Sequence, residues 1–91
     1  MQIHKEQKVS ISSEVLFQEV SGETVLLDLA SESYFGLDVV GTRVWGLLES
    51  GASVGDMLDV LLDEYDVERD VLEKDVGELL EKLLEAGLIK L

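Results

Sequence analysis

Val15-Leu16-Phe17-Gln18-Glu19-Val20-Ser21-Gly22-Glu23-Thr24-Val25-Leu26-Leu27-Asp28-Leu29-Ala30-Ser31-Glu32-Ser33-Tyr34-Phe35-Gly36-Leu37 is the stretch that decides the fold. Its first six residues are rich in β-formers, and Ser21-Gly22-Glu23 brings the glycine that a tight hairpin uses. In Thr24–Leu29, residues Val25, Leu27 and Leu29 alternate onto one face, the period-two pattern of a half-buried strand. Ala30-Ser31-Glu32 is a second turn, and Ser33–Leu37 a third, short strand. Together they predict a three-stranded antiparallel meander. Upstream, Val9-Ser10-Ile11 is a marginal further strand.

Downstream the period changes. Asp38 is a good N-cap, and Val40, Val44, Leu47 and Leu48 follow at i, i+4, i+7, i+8, flanked by Trp45, with Gly51 as the stop. Ser53, with Asp56 three residues on, opens a second helix whose apolar face is Met57, Leu58, Leu61 and Leu62. A third helix runs from about residues 66–69 to Ala86, with Gly87 beyond it. Its stripe of Leu72, Val76, Leu79, Leu80, Leu83 and Leu84 is wide enough for two contact surfaces. Leu88–Leu91 is an extended or frayed end. The expected architecture is α+β: a three-stranded antiparallel sheet followed by three helices, of winged helix-turn-helix type. Residues 1–91 form a single domain in this reading, with residues 1–14 partly flexible.

Composition narrows the function. The 91 residues bury a thin core, roughly 60–65% of the unfolded surface, but 46% of them are hydrophobic, so the chain folds without staples. It has no Cys, which excludes disulfides and thiolate metal sites, and one His, His4, near the N-terminus, so neither a zinc site nor a His-dependent triad is expected. Seven Lys+Arg against twenty Asp+Glu give a net charge of −13, and Arg43 is the one basic residue between Lys8 and Arg69. Such a chain repels nucleic acid. The third helix of a DNA-binding winged helix would be basic, whereas this one carries Asp70, Glu73, Asp75, Glu78, Glu81 and Glu85 against Arg69, Lys74 and Lys82. No apolar run reaches the ~18 residues of a membrane span, and the N-terminus lacks the apolar region of a signal peptide, so the expected location is cytoplasmic.

Catalysis fits poorly, because no serine has a histidine partner other than His4. Asp59, Asp63, Glu64 and Asp66 lack the ligand spacing and glycine of a calcium loop, and Gly36 and Gly41 belong to no phosphate-binding motif. No metal and no cofactor is expected, nor an enzyme. A carrier-protein role would require an all-helical chain with Asp-Ser-Leu at a helix start, and that tripeptide is missing. A binding module remains. The third strand is an edge without charge or proline, a liability unless a partner strand docks there, and the wide third-helix stripe can line a groove beside it.

The run Val25–Leu29, followed by Tyr34-Phe35-Gly36-Leu37-Asp38-Val39-Val40-Gly41-Thr42-Arg43-Val44-Trp45-Gly46-Leu47-Leu48, resembles the PqqD family, with its "Leu-Asn/Asp-x-x-Gly-x-x-Ile/Val-Trp" segment after a short aromatic strand. Asp75-Val76, Leu79, Leu80, Leu83 and Gly87-Leu88 are similar to the family's last helix, so the resemblance covers roughly residues 15–90. It implies a recognition element for ribosomally made precursor peptides, in which the leader segment adds to the third strand and packs against the third helix. By position, the peptide-binding residues would be Tyr34, Phe35, Gly36 and Leu37 with Leu72, Asp75, Val76, Leu79 and Leu83. A free-standing chain of this kind looks most like the leader-binding proteins of lasso peptide biosynthesis, whose partners are a leader peptidase and a macrolactam synthetase. The quinone-cofactor pathway, with a radical SAM enzyme as partner, is the alternative within the family, and a winged-helix DNA-binding regulator is the alternative outside it.

Overall fold

The computed structural model describes residues 6–91; His4 lies outside them. The elements run β1 (Ser10–Ile11), β2 (Val15–Val20), β3 (Glu23–Asp28), β4 (Ser33–Leu37), α1 (Val39–Glu49), α2 (Val54–Glu64), α3 (Arg69–Glu85) and β5 (Ile89–Lys90). This is an α+β arrangement of three helices and a three-stranded antiparallel sheet in the order β2-β3-β4.

The register of the sheet is set at its first turn. Val20 pairs with Glu23 across a two-residue loop, Ser21-Gly22, whose φ values are both positive at 55° and 83°. That is the turn whose twist matches a right-handed hairpin, and it favours glycine at the second position. From there Leu16 faces Leu27, which in turn faces Tyr34, while Phe17 faces Leu26, which faces Phe35.

The helices cover the opposite face of β3 from the one the apolar alternation predicts. Val25 and Leu29 are exposed and Leu27 half-buried, whereas Thr24, Leu26 and Asp28 are buried. The reason is local satisfaction of polar groups. The Thr24 hydroxyl bonds to that of Thr42 on α1 at 2.8 Å. The Asp28 carboxylate accepts from the Ala30 amide at 3.2 Å and the Ser31 hydroxyl at 2.8 Å. Partnered in this way, both polar residues tolerate burial beside Leu26. A count of apolar residues per face therefore misassigns the core side.

Helices α1 and α2 begin where a cap was expected. Asp38 accepts from the Gly41 amide at 2.8 Å, and Ser53 from the Asp56 amide at 3.2 Å. Gly41 is also a point of close approach: a Cβ there would lie 3.2 Å from Leu37 Cβ and 3.2 Å from Asp38 Oδ1. Its bare backbone thus lets the first turn of α1 sit against the end of β4. The helices pack Val44, Trp45, Leu48, Met57, Leu61 and Leu80 into one cluster with Leu26 and Leu37. Trp45 meets Phe17 edge-on at 5.8 Å, and its buried indole nitrogen has no hydrogen-bond partner among the described residues. Val40 was expected in the buried stripe of α1 but is exposed.

The C-terminal segment is not frayed. Ile89 pairs with Ile11 and Lys90 with Ser10, and Leu88 and Ile89 are buried. Of residues 1–14, expected to be partly flexible, Gln7 accepts from the Val54 amide at 3.0 Å and Ser12 donates to the Leu88 carbonyl at 2.9 Å. These bonds tie the start and end of the chain to each other and to α2.

Candidate functional site

Strand β4 is an edge of the sheet, and its register identifies which backbone groups it leaves open. Antiparallel pairs alternate between hydrogen-bonded and non-bonded types. The Leu29 amide donates to the Glu14 carbonyl at 2.8 Å, so the β2–β3 bonded pairs share the parity of Glu14 and Leu29: Leu16–Leu27, Gln18–Val25 and Val20–Glu23. The remaining β3 residues, Thr24, Leu26 and Asp28, therefore bond to Leu37, Phe35 and Ser33. Tyr34 and Gly36 direct their N–H and C=O groups to the open edge.

Beside that edge lies a groove of about 590 Å³. Phe35, Gly36 and Leu37 form its strand wall. Val40, Gly41 and Val44 close one side from α1, and Tyr65 and Val67 contribute from the α2–α3 connection. Helix α3 supplies the facing wall with Val71, Leu72, Asp75, Val76, Leu79 and Lys82. The α3 positions follow from helical spacing: Leu72, Val76 and Leu79 stand along one stripe, and Val71 and Asp75 beside it. Asp38, Asp75 and Glu78 against Lys82 make the charged rim mostly acidic, and the interior is apolar.

The sequence-predicted residues divide. Phe35, Gly36, Leu37, Leu72, Asp75, Val76 and Leu79 line the groove. Leu72 and Val76 are buried and form its floor rather than its mouth. Tyr34 does not line it; its side chain is 74% exposed on the outer face of the sheet, although its backbone faces the open edge. Leu83 is fully buried in the core cluster and lies outside the groove. It belongs to the α3 flank that packs inward with Leu80. Sequence reading missed Val40, Tyr65, Val67 and Val71. The signal for Val71 was its place four residues before Asp75 and eight before Leu79, but as a lone valine on a charged turn it does not stand out. Val67 and Tyr65 join the site only through the path of the connection.

The groove holds no constellation for catalysis, and no group of three or more metal-ligating side chains occurs among the described residues. The bidentate pair of Arg43 and Glu64, at 2.8 and 2.6 Å, joins α1 to the end of α2, and neither residue lines the groove. Its hydrogen bonds raise the Arg43 pKa and lower that of Glu64. Among the described residues, no helix is long and apolar enough to cross a membrane.

The family described as Coenzyme PQQ synthesis protein D (PqqD) matches residues 23–89, and the chain belongs to it. Two solved structures are similar over nearly the whole chain. One is TbiB1 in complex with the TbiA(beta) leader peptide: 38% identity, TM-score 0.86, covering 89% of this chain and 94% of that one. The other is lasso peptide synthetase B1 complexed with the leader peptide: 28% identity, TM-score 0.84, covering 93% of this chain and 100% of that one. No curated protein matches the sequence.

Proposed function

We propose that this PqqD-family chain binds the leader segment of a ribosomally synthesised precursor peptide, which adds to β4 as a fourth strand of the sheet. The carrying observation is the coincidence of an open, uncharged, proline-free strand edge with an apolar groove along it. Main-chain bonds to Tyr34 and Gly36 would supply sequence-independent affinity. Every second leader side chain would enter the groove between β4 and α3, and those contacts would supply selectivity. The two leader-peptide complexes that the chain resembles support the same reading.

In this reading residues 1–91 are one cytoplasmic domain of winged helix-turn-helix type with no chemistry of its own. It delivers the precursor to a leader peptidase and a macrolactam synthetase, as in lasso peptide biosynthesis. The resemblance to a lasso peptide synthetase B1 favours this over delivery to a radical SAM enzyme in quinone cofactor synthesis. The net charge of −13 weighs against a DNA-binding regulator. The test is calorimetric titration of the full chain with the synthetic leader of its precursor. One-to-one saturable binding is expected. Absence of binding at leader concentrations of about 1 mM, where even a complex of about −4 kcal/mol forms, counts against the proposal.

A further inference from the structure

The groove beside β4 is bordered by carboxylates that the chain leaves unmatched. Asp75 and Glu78 stand three residues apart on the exposed side of α3, and Asp38 follows the last residue of β4. Among the described residues, neither Asp75 nor Glu78 makes an ion pair or a side-chain hydrogen bond. Asp38 gives Oδ1 to the Gly41 amide at 2.8 Å and keeps its other oxygen open. The cations of the chain are placed elsewhere. Arg43 is held by Glu64, and Arg69 by Asp59 and Glu73. Of the described lysines, Lys82 alone lines the groove. The carboxylates stand off β4 itself, so they do not block a strand that pairs with it; they border the path that such a strand follows.

A strand added to β4 turns alternate side chains toward the groove. It also covers part of the rim and strips water from carboxylates that have no partner, which opposes binding unless the strand brings positive charge. An apolar interior edged by carboxylates suits a side chain that is apolar along its stem and cationic at its tip. Lys or Arg would lay its methylenes along Val71 and Leu79 and present its nitrogens to Asp75 and Glu78. The net charge of −13 draws such a segment in from a distance.

We propose that the rim of Asp38, Asp75 and Glu78 selects leaders that carry Lys or Arg on the groove-facing side of the docked strand, beside the apolar residues that fill the interior. The inference rests on the proposed leader binding and adds to it the charge class of the leader that is accepted. Backbone pairing with β4 does not distinguish one leader from another. The rim does, because a carboxylate of the leader brought to the same place meets like charge.

The test titrates the full chain with the synthetic leader of its precursor at about 50 and about 500 mM salt, then with each Lys and Arg of that leader replaced by Gln in turn. The variant Asp75→Asn/Glu78→Gln, which keeps the shape of two exposed side chains and removes their charge, is measured beside wild type. Wild-type affinity is expected to fall by about tenfold at the higher salt, and by about tenfold at the lower salt when a groove-facing cation of the leader becomes Gln. The double variant is expected to bind the unmodified leader about tenfold more weakly, to lose most of the salt dependence, and to be indifferent to that same Gln replacement. A Gln replacement that costs as much in the double variant as in wild type overturns the inference. So does a leader that binds with no Lys or Arg in its docked segment. Tighter binding by the double variant also overturns it and makes the rim a repulsive border only. The leader-side replacements leave the fold of the domain untouched, so they decide the matter even if the double variant melts early. A wild-type chain that binds leader at neither salt concentration fails before any variant is made, and it removes the underlying leader-binding reading together with this one.

Discussion

Proline substitution along β4 tests strand addition residue by residue, because the register fixes opposite outcomes for neighbours. Tyr34 and Gly36 point their N–H groups to the open edge, whereas Phe35 bonds to Leu26. Tyr34→Pro or Gly36→Pro removes a donor that the sheet's own ladder does not use, and edge strands tolerate proline. The leader carbonyl that would have met it is left without a partner, at a cost of about 1–3 kcal/mol. That corresponds to a loss of affinity of roughly 5- to 150-fold. Phe35→Pro instead orphans the carbonyl of fully buried Leu26, at about 1–3 kcal/mol against the fold. For a domain of this size that lowers the melting temperature by roughly 5–25 °C. Circular dichroism melts and calorimetric leader titration, run on all three variants, separate the two effects. If Tyr34→Pro and Gly36→Pro both remain folded and bind leader within about twofold of wild type, the leader does not dock as a strand on this edge.

Val71, 51% exposed on the groove wall, should be replaceable by Glu with little change in melting temperature. Leader affinity should nevertheless drop about tenfold or more in titrations, because docking strips water from the new carboxylate. Val76→Glu is the contrasting control: at 3% exposure it should unfold the domain in the same melts. Gly46 and Gly77 sit in helices with nothing within 4 Å of an added Cβ, so Gly46→Ala and Gly77→Ala should each stabilise by about 0.5–1 kcal/mol in urea denaturation. The Arg43 hydrogen bond lowers the Glu64 pKa below 4.5, so the stabilisation from this pair is present at neutral pH and is lost as pH falls through that lowered value. The difference between wild type and Glu64→Gln in denaturation midpoint should therefore be visible at neutral pH, diminish with added salt, and vanish in strong acid.

The parts legible in the sequence were those written in local chemistry. The limits of the strands at Val15–Val20 and Ser33–Leu37, and the caps at Asp38 and Ser53, follow from β-formers bracketed by turns and from side chains that satisfy free helix amides. The orientation of the sheet was not legible, because it depends on Thr24 meeting Thr42 eighteen residues away. The pairing of Ile89–Lys90 with Ser10–Ile11 escaped for the same reason: two-residue strands carry no period and exist only because the ends of the chain meet. At the site, Leu72, Val76 and Leu79 of the α3 stripe lie along the groove. Helical spacing alone could not say that Leu83, one turn on, faces inward.

The sheet has two open edges, and the physics of each is different. On β2 the residues with outward backbone are Val15, Phe17 and Glu19, by the same parity that turns Leu16, Gln18 and Val20 toward β3. Glu19 puts a carboxylate in the path of an incoming strand, the common protection of an exposed edge, and the Phe17 ring is already engaged with Trp45. On β4 the five residues Ser33–Leu37 carry neither charge nor proline, and the groove runs alongside. A strand added there gains backbone bonds on one side and apolar burial on the other, whereas a strand added at β2 meets the Glu19 carboxylate near the end of the strand. The acidic chain thus keeps its carboxylates off the one edge it leaves available. If the leader docks at β4 as proposed, that placement of charge makes β4 the favoured edge for an added strand.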